Sequence, residues 1–304
     1  MSPAEENVVR RSARNGWLLS GPALAVLAMA AVGPLLVVVI YSFLTAGTHG
    51  NVVWAFSLEG WNSILWSKDI FTDSYVWADA HLTIFWRSVK ISLLTTIITF
   101  LVGLPTAWFI ATRPPKSRAF WLFLITIPFW TSYLVRVFLW KVILGFNGVI
   151  NSGLISLGII DDPLTWINVN VGAIVMTLAH AYAPFAILPI FVALEKIDRS
   201  LLEAGRDLGE SAMTTFWRVT LPLAMPGVVG AVLIVFIPTV GDYVTPDIIG
   251  GGKIPLIANV IQKLMLGIDN MPLGSAVAVS AMLIVGAAAA LFVLLNARFL
   301  KVKK

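Results

Sequence analysis

The chain has 304 residues, of which 58% are hydrophobic and only 12% charged, with a mean hydropathy of +0.88. A soluble domain is about a quarter charged, so this composition excludes a disordered chain and argues against a water-soluble α/β or all-β enzyme. Cysteine is absent, which removes a disulfide framework, an iron–sulfur cluster, a thiolate zinc site and a cysteine nucleophile together.

Six apolar runs follow one another along the chain: Trp17 to Phe43, Ile91 to Ala111, Ala119 to Leu144, Val171 to Leu194, Leu223 to Val240 and Ser275 to Leu295. A bilayer core of about 30 Å needs roughly 20 apolar residues in helix, and each run is long enough to be read as a span. The first run is preceded by Arg10, Arg11 and Arg14 but is too long for a signal-peptide core, and no small-x-small cleavage site is well placed behind it. It reads as a retained first helix.

Orientation follows from the Lys and Arg in each connection. In chain order the counts are 3, 1, 3, 0, 4, 2 and 4, alternating without a break. Both termini are therefore cytoplasmic, and the net charge of +5 is an orientation signal rather than a nucleic-acid footprint. The expected organisation is an all-α integral membrane protein. It has a basic cytoplasmic tail at 1–16, one transmembrane domain at 17–297 and a second basic tail at 298–304.

Arg87 and Lys90 open the second helix at its outer end. Arg136 and Lys141 fall inside the third run. At 1.5 Å per residue Arg136 lies about 26 Å up a continuous helix, from where both side chains are expected to snorkel outward, unless they serve the transport path. The outer connection Thr45–Phe85 carries Trp54, Trp61, Trp66 and Trp77, with a short helix capped near Ser57. Such a segment reads as an interfacial lid or anchor, or as a contact surface for an outer partner.

The inner connection Glu195–Pro222 is the most charged. Leu201, Leu202, Leu208 and Met213 punctuate its charges at near-helical intervals. One short helix is expected to start at Ser200 and stop at Gly209, and a second to run from about Ser211 to Val219. Leu221-Pro222 then turns the chain into the fifth span. Two short amphipathic helices at a sharp angle make a rigid knob, whose apolar face calls for a partner. No catalytic constellation is seen. The three histidines, His49, His81 and His180, share no metal-ligand spacing, and His180 is expected to be a hydrogen-bonded packing residue. Gly250-Gly251-Gly252-Lys253 lacks the spacing of a phosphate loop and reads as a flexible turn. Ala276, Ser280, Gly286 and Ala290 in the sixth span suggest close helix packing.

The pattern Glu203-Ala204-Gly205-x3-Gly209-x9-Val219-x-Leu221-Pro222 resembles the EAA loop of ABC-importer permeases at every step of its spacing. Gly205 stands where the family has a second alanine, and Val219 where it has isoleucine. Pro128–Arg136, Ile187–Asp198 and Gly241–Gly251 resemble the polyamine (spermidine/putrescine) branch of that family, and the similarity extends from about Leu58 onward. The resemblance implies a bacterial inner-membrane complex. Its parts would be two permease subunits (here expected to be different chains), a cytoplasmic ATPase dimer that holds ATP and Mg, and an extracytoplasmic solute-binding protein. This chain would bind no cofactor of its own. It also implies that Glu203, Ala204, Gly205, Arg206, Asp207, Gly209, Leu221 and Pro222 couple the chain to the ATPase.

A flexible polycation needs carboxylates and aromatic faces along its path. Asp242, Tyr243 and Asp247 beyond the fifth span, and Trp130 and Tyr133 on one face of the third, are the pathway candidates. Alternatives are a permease for another small organic solute, such as an opine, amine or aminophosphonate, and an ion-driven secondary carrier. The latter would place acids mid-span, and none is found there.

Overall fold

The computed structural model describes residues 3–68, 74–167, 170–268 and 270–300. The side chains of residues 3–19 and of His49, Lys68, Arg199 and Arg206 lie outside that description, as do Lys301, Lys303 and Lys304. Much of the charge in the two basic tails therefore falls outside the described residues. The chain divides into two compact units, Met1–Val76 with Leu264–Val279 and Trp77–Lys263 with Ser280–Lys304.

In the first unit, α1 (Pro3–Tyr41) carries the apolar stretch Ser20–Tyr41. The chain then forms something the sequence did not announce, a two-stranded antiparallel ribbon of β1 (Leu44–Ala46) and β2 (Val52–Phe56), with Leu44 opposite Phe56. Phe43 stacks on Phe56 and on Trp61, at 6.1 and 5.6 Å between ring centres. The short helix expected after Ser57 is α2 (Glu59–Asn62), and the Ser57 hydroxyl accepts the Glu59 N–H at 3.1 Å. Gly60 sits so close to the Pro272 carbonyl that an added Cβ would lie 3.1 Å from it. A second ribbon joins β3 (Trp66–Lys68) and β4 (Tyr75–Trp77).

In the second unit, α3 runs from Ala80 to Ala111. It starts eleven residues before the apolar run, because its first turns are amphipathic and escape a hydrophobicity count. Arg87 and Lys90 thus lie inside the helix rather than opening it. Arg87 donates to the Pro255 carbonyl at 2.5 Å, and Lys90 lies over the Trp86 ring at 5.0 Å. At 1.5 Å per residue its 32 residues span about 48 Å, more than a bilayer core requires.

The third run is not one straight span. It folds as α4 (Pro115–Thr126), a 3₁₀ turn at Ile127–Trp130 and α5 (Tyr133–Ile143), and the two helices are bent by 91°. Pro128 supplies the physical cause, since it has no N–H for the carbonyl four residues back. Thr131 and Ser132 then adopt extended backbone.

Next come α6 (Val149–Ser156), the long α7 (Val171–Glu195), α8 (Arg199–Asp207) and α9 (Ala212–Thr215). A π-helical turn at Phe216–Thr220 leads into α10 (Leu221–Val240). The chain closes with α11 (Val244–Ile248), α12 (Ile257–Leu266), α13 (Met271–Leu295) and α14 (Ala297–Leu300). Among the described residues, five helical stretches are long and apolar enough to cross a membrane, and the bent α4–α5 pair makes six.

The core of the second unit is the packing of α3, α7 and α10. One cluster joins Leu104, Ala107 and Ile110 to Ile187, Ile190 and Phe191 and to Ala224, Val228 and Val235. A second surrounds Ile174 and Leu178 with Ile91, Val137, Ile249 and Leu256. Small residues let these backbones approach closely. A Cβ on Gly227 would clash with Ala193 and with the Pro189 carbonyl, whereas one on Gly103 would lie 3.3 Å from the Ala186 Cβ. By contrast, a Cβ on Gly286 would meet no described atom within 4 Å, so Gly286 does not mark close packing among the described residues of this chain. Gly227→Ala should lower the melting temperature of the detergent-purified protein clearly, at an overpacking cost of about 1–3 kcal/mol. Gly103→Ala should cost less, and equal effects would refute the α7–α10 contact as the tighter of the two.

Candidate functional site

The bend in the third run leaves backbone carbonyls without helical partners, and Arg136 meets them. This side chain is 9% exposed. It donates to the carbonyls of Pro128 and Thr131 across the break and to that of Ala181 on α7. The expectation that Arg136 snorkels outward from a straight helix is therefore corrected. It points inward, because a guanidinium can satisfy several carbonyls at once. The proposed shared face of Trp130 and Tyr133 is corrected for the same reason. Trp130 ends the 3₁₀ turn, is 72% exposed and meets Phe123 edge-on at 5.5 Å, while Tyr133 starts a new helix.

Tyr133 instead meets Asp242. Its hydroxyl donates to the Asp242 carboxylate at 2.5 Å and lies 2.7 Å from the Thr245 hydroxyl. The other carboxylate oxygen of Asp242 accepts the N–H groups of Val244 and Thr245 at 2.9 and 3.4 Å, at the start of α11. Asp242 and Thr245 are buried. Asp242 is thus a capping residue that pins α11 to α5 across a sequence separation of 109 residues. Tyr182 on α7 adds a second ring 6.3 Å from Tyr133. Tyr243 and Asp247 are exposed, and the Tyr243 carbonyl accepts a bond from Asn259 at 2.8 Å. His180 is hydrogen-bonded as expected, its Nδ1 accepting the Trp140 indole N–H at 3.1 Å, but it is exposed rather than packed inside this chain. The glycine turn is tighter than a flexible linker. Gly251 and Gly252 have φ of 56° and 72°, and a Cβ on Gly250 would strike the Pro246 carbonyl.

At the Glu195–Pro222 connection the two short helices are present. The first is started by Asp198, not Ser200, since the Asp198 carboxylate accepts the Ser200 N–H at 3.0 Å. That bond, with one from the Ser200 hydroxyl, holds the Asp198 carboxyl below its usual range. Gly209 ends α8 with φ of 81°, and the Glu210 N–H returns to the Gly205 carbonyl at 3.0 Å, the bond of a Schellman stop. Ser211 caps α9 through the Thr214 N–H at 3.2 Å. Glu203, Ala204 and Asp207 are exposed or partly so, and the Arg206 side chain lies outside the described residues.

Leu221 and Pro222 do not turn the chain. Helix continues from Ala212 to Val240, and the π turn just before Leu221 accommodates the N–H that Pro222 lacks.

Two partnerships here were invisible in the sequence. A Cβ on Gly205 would lie 3.2 and 3.3 Å from the Thr215 side chain, so Thr215 occupies the space an alanine methyl would need. Arg118, at the start of α4, forms an ion pair with Glu195 at 2.6 Å and donates to the carbonyls of Ala111 and Arg113 at the end of α3. Its partner lies 77 residues away, so no local signal reveals it. Above these groups opens a cavity of about 560 Å³, lined by Trp108, Thr112, Arg118, Glu195, Leu202 and Glu203 among others.

Comparison with known proteins gives this geometry a family. Residues 91–301 match the binding-protein-dependent transport system inner membrane component family. The chain belongs to that family. It is 37% identical over 246 residues to the spermidine/putrescine transport system permease protein PotB of Haemophilus influenzae, covering 81% of this chain and 82% of the relative. Against PotB of Escherichia coli K12 it is 34% identical over 253 residues, covering 83% and 87%. The fold matches a crystallised bacterial alginate ABC transporter in complex with its alginate pentasaccharide-bound periplasmic protein, with a TM-score of 0.72 at 14% identity, over 96% of this chain and 98% of that one. The protein is thus a multi-pass bacterial inner-membrane permease, a subunit of a partnered ABC importer.

Two measurements test the geometry of this permease. Gly205→Ala should destabilise the chain mildly, and Thr215→Ser should relieve that loss in a double-mutant cycle with a coupling of about 0.5–1 kcal/mol; strict additivity would contradict the contact. Asp242→Ala should lower the melting temperature by an amount equivalent to about 1–3 kcal/mol, because buried donors lose their acceptor. Asp242→Asn, which keeps one oxygen for the Val244 N–H, should cost less.

Proposed function

We propose that this chain forms half of the translocation pathway of an ATP-driven polyamine importer, coupled to a cytoplasmic ATPase through α8 and α9. ATP hydrolysis would belong to the partner ATPase, with its ATP and Mg, and the chain itself would hold no cofactor. A solute-binding protein would deliver the polyamine, and a second, different permease chain would complete the path. The PotB relatives support the substrate class.

The observation that carries the coupling reading is the continuity of α9 with α10. The knob is a Schellman-stopped helix, α8, folded onto the start of a 29-residue helical stretch. A push on the knob would therefore reach the α3–α7–α10 core as a rigid displacement, not as loop motion. Glu203, Ala204 and Asp207 on α8 are the proposed docking surface, with Gly205 and Gly209 shaping it. The Arg118–Glu195 pair would fix the end of α7, from which α8 hangs.

For the substrate path, Trp130, Tyr243 and Asp247 are the accessible candidates, offering two aromatic faces and one carboxylate. Asp242 and Tyr133 would position α11 beside them, being already bonded to each other.

The test uses the complete complex in proteoliposomes, with labelled putrescine and spermidine. Glu203→Lys and Gly209→Asp should each cut uptake at least about tenfold and abolish stimulation of the ATPase by the binding protein, while the subunits still copurify. The second change acts through backbone strain, since an L-residue is disfavoured at positive φ. Normal uptake in both variants would overturn the coupling role. Binding of an opine or an aminophosphonate, but not of polyamines, by the cognate binding protein would overturn the substrate class alone.

A further inference from the structure

We propose that the β1–β2 ribbon lies in the outer headgroup layer of the bilayer and presses Trp54 and Phe56 into lipid. This goes beyond the transport function and rests on three observations within the first unit.

The first is place. β1 begins at Leu44, only three residues after α1 ends at Tyr41. The ribbon also returns to its origin: Phe56 stacks on Phe43, and the Ser57 N–H donates to the Phe43 carbonyl at 2.8 Å. Both ends of the ribbon are therefore tied to the end of a span, on the side that the charge alternation assigns to the exterior.

The second is surface chemistry. No Asp, Glu, Lys or Arg occurs from Phe43 to Leu58. Trp54 lies in a break of the ladder register, between the paired Val53 and Phe56, and Trp54 and Phe56 are 78% and 76% exposed. An uncharged ribbon with two largely exposed aromatic rings is not a surface for bulk water.

The third is the backbone. Among the described residues the ribbon has two strands, so each strand has an outer edge with no described strand beside it. Unpaired N–H and C=O groups are not tolerated in hydrocarbon. Water must reach the edges while something apolar covers the rings, and the headgroup layer supplies both. Tryptophan is enriched at that depth because its ring is apolar and its N–H is polar.

The chain has no cysteine of its own, which makes the test direct. Trp54→Cys and, separately, Phe56→Cys are spin-labelled in the full complex, reconstituted in phosphatidylethanolamine–phosphatidylglycerol vesicles. Val26→Cys on α1 serves as the hydrocarbon reference and Asp161→Cys as the aqueous one, and signal from the unsubstituted complex is subtracted. Collision rates with oxygen and with a nickel chelate are measured. At both ribbon sites the oxygen-to-nickel ratio should exceed the aqueous reference by about threefold or more, fall below that at Val26, and stay unchanged on adding the binding protein. A ratio equal to that at Asp161 would overturn the proposal. So would low collision rates with both reagents, whether constant or appearing with the binding protein, because the ribbon would then be covered by protein.

Discussion

In hydrocarbon no water is available to satisfy a backbone N–H or C=O, so every interruption of a spanning helix must be sealed by the protein itself. This constraint organises most of the polar chemistry of the chain. Arg136 occurs just beyond the break that follows Pro128, and from α5 it donates back to the Pro128 carbonyl before the break and the Thr131 carbonyl within it. Asp242 occurs where α10 has ended and α11 begins, and it accepts the first free N–H groups while receiving the Tyr133 hydroxyl. Asn151 does the same for the connection after α5, bonding the carbonyls of Gly145, Phe146 and Leu164 through its amide nitrogen and the Leu164 N–H and Trp166 indole through its oxygen. Each buried polar side chain in this group is a substitute for missing helix.

The same logic separates structural from mobile chemistry. A charge fully engaged in sealing the backbone is poorly placed to bind and release a solute. Asp242 is held by these bonds, and Arg136 by those of its terminal nitrogens, whereas Trp130, Tyr243 and Asp247 are exposed. In the connection between α7 and α10, rigidity has a different origin. There the Schellman stop at Gly209, the Ser211 cap and the Glu210–Arg218 ion pair at 3.1 Å make two short helices behave as one piece. Helix α9 then enters α10 without a corner.

The two-helix knob between α7 and α10 was legible because its signals are local. Gly209 needs positive φ, Ser211 caps three residues ahead, and the amphipathic spacing of leucines lies within one helix. The surroundings of the pathway candidates were less legible because their signals are not local. Treating Ala119–Leu144 as one helix placed Arg136 at a membrane surface and Trp130 beside Tyr133. Pro128 was the available warning, but a proline alone does not say whether a span kinks slightly or breaks by 91°. The ribbon at Leu44–Phe56 was also missed, since three- and five-residue strands joined by a short glycine-flanked turn leave too short a pattern to read.

The sequence by itself determined the solvent and the number of spans, because hydrophobic length responds to the bilayer directly. It also determined the two-helix knob, whose capping and turn signals act within a few residues. Only the tertiary structure decided where the third span breaks, that Arg136 turns inward, and that Tyr133 meets Asp242. It alone revealed that Arg118 pairs with Glu195 and that Thr215 fills the space beside Gly205. These contacts join residues from 5 to 109 positions apart, and the longer of them depend on how helices pack, which no short stretch of chain encodes.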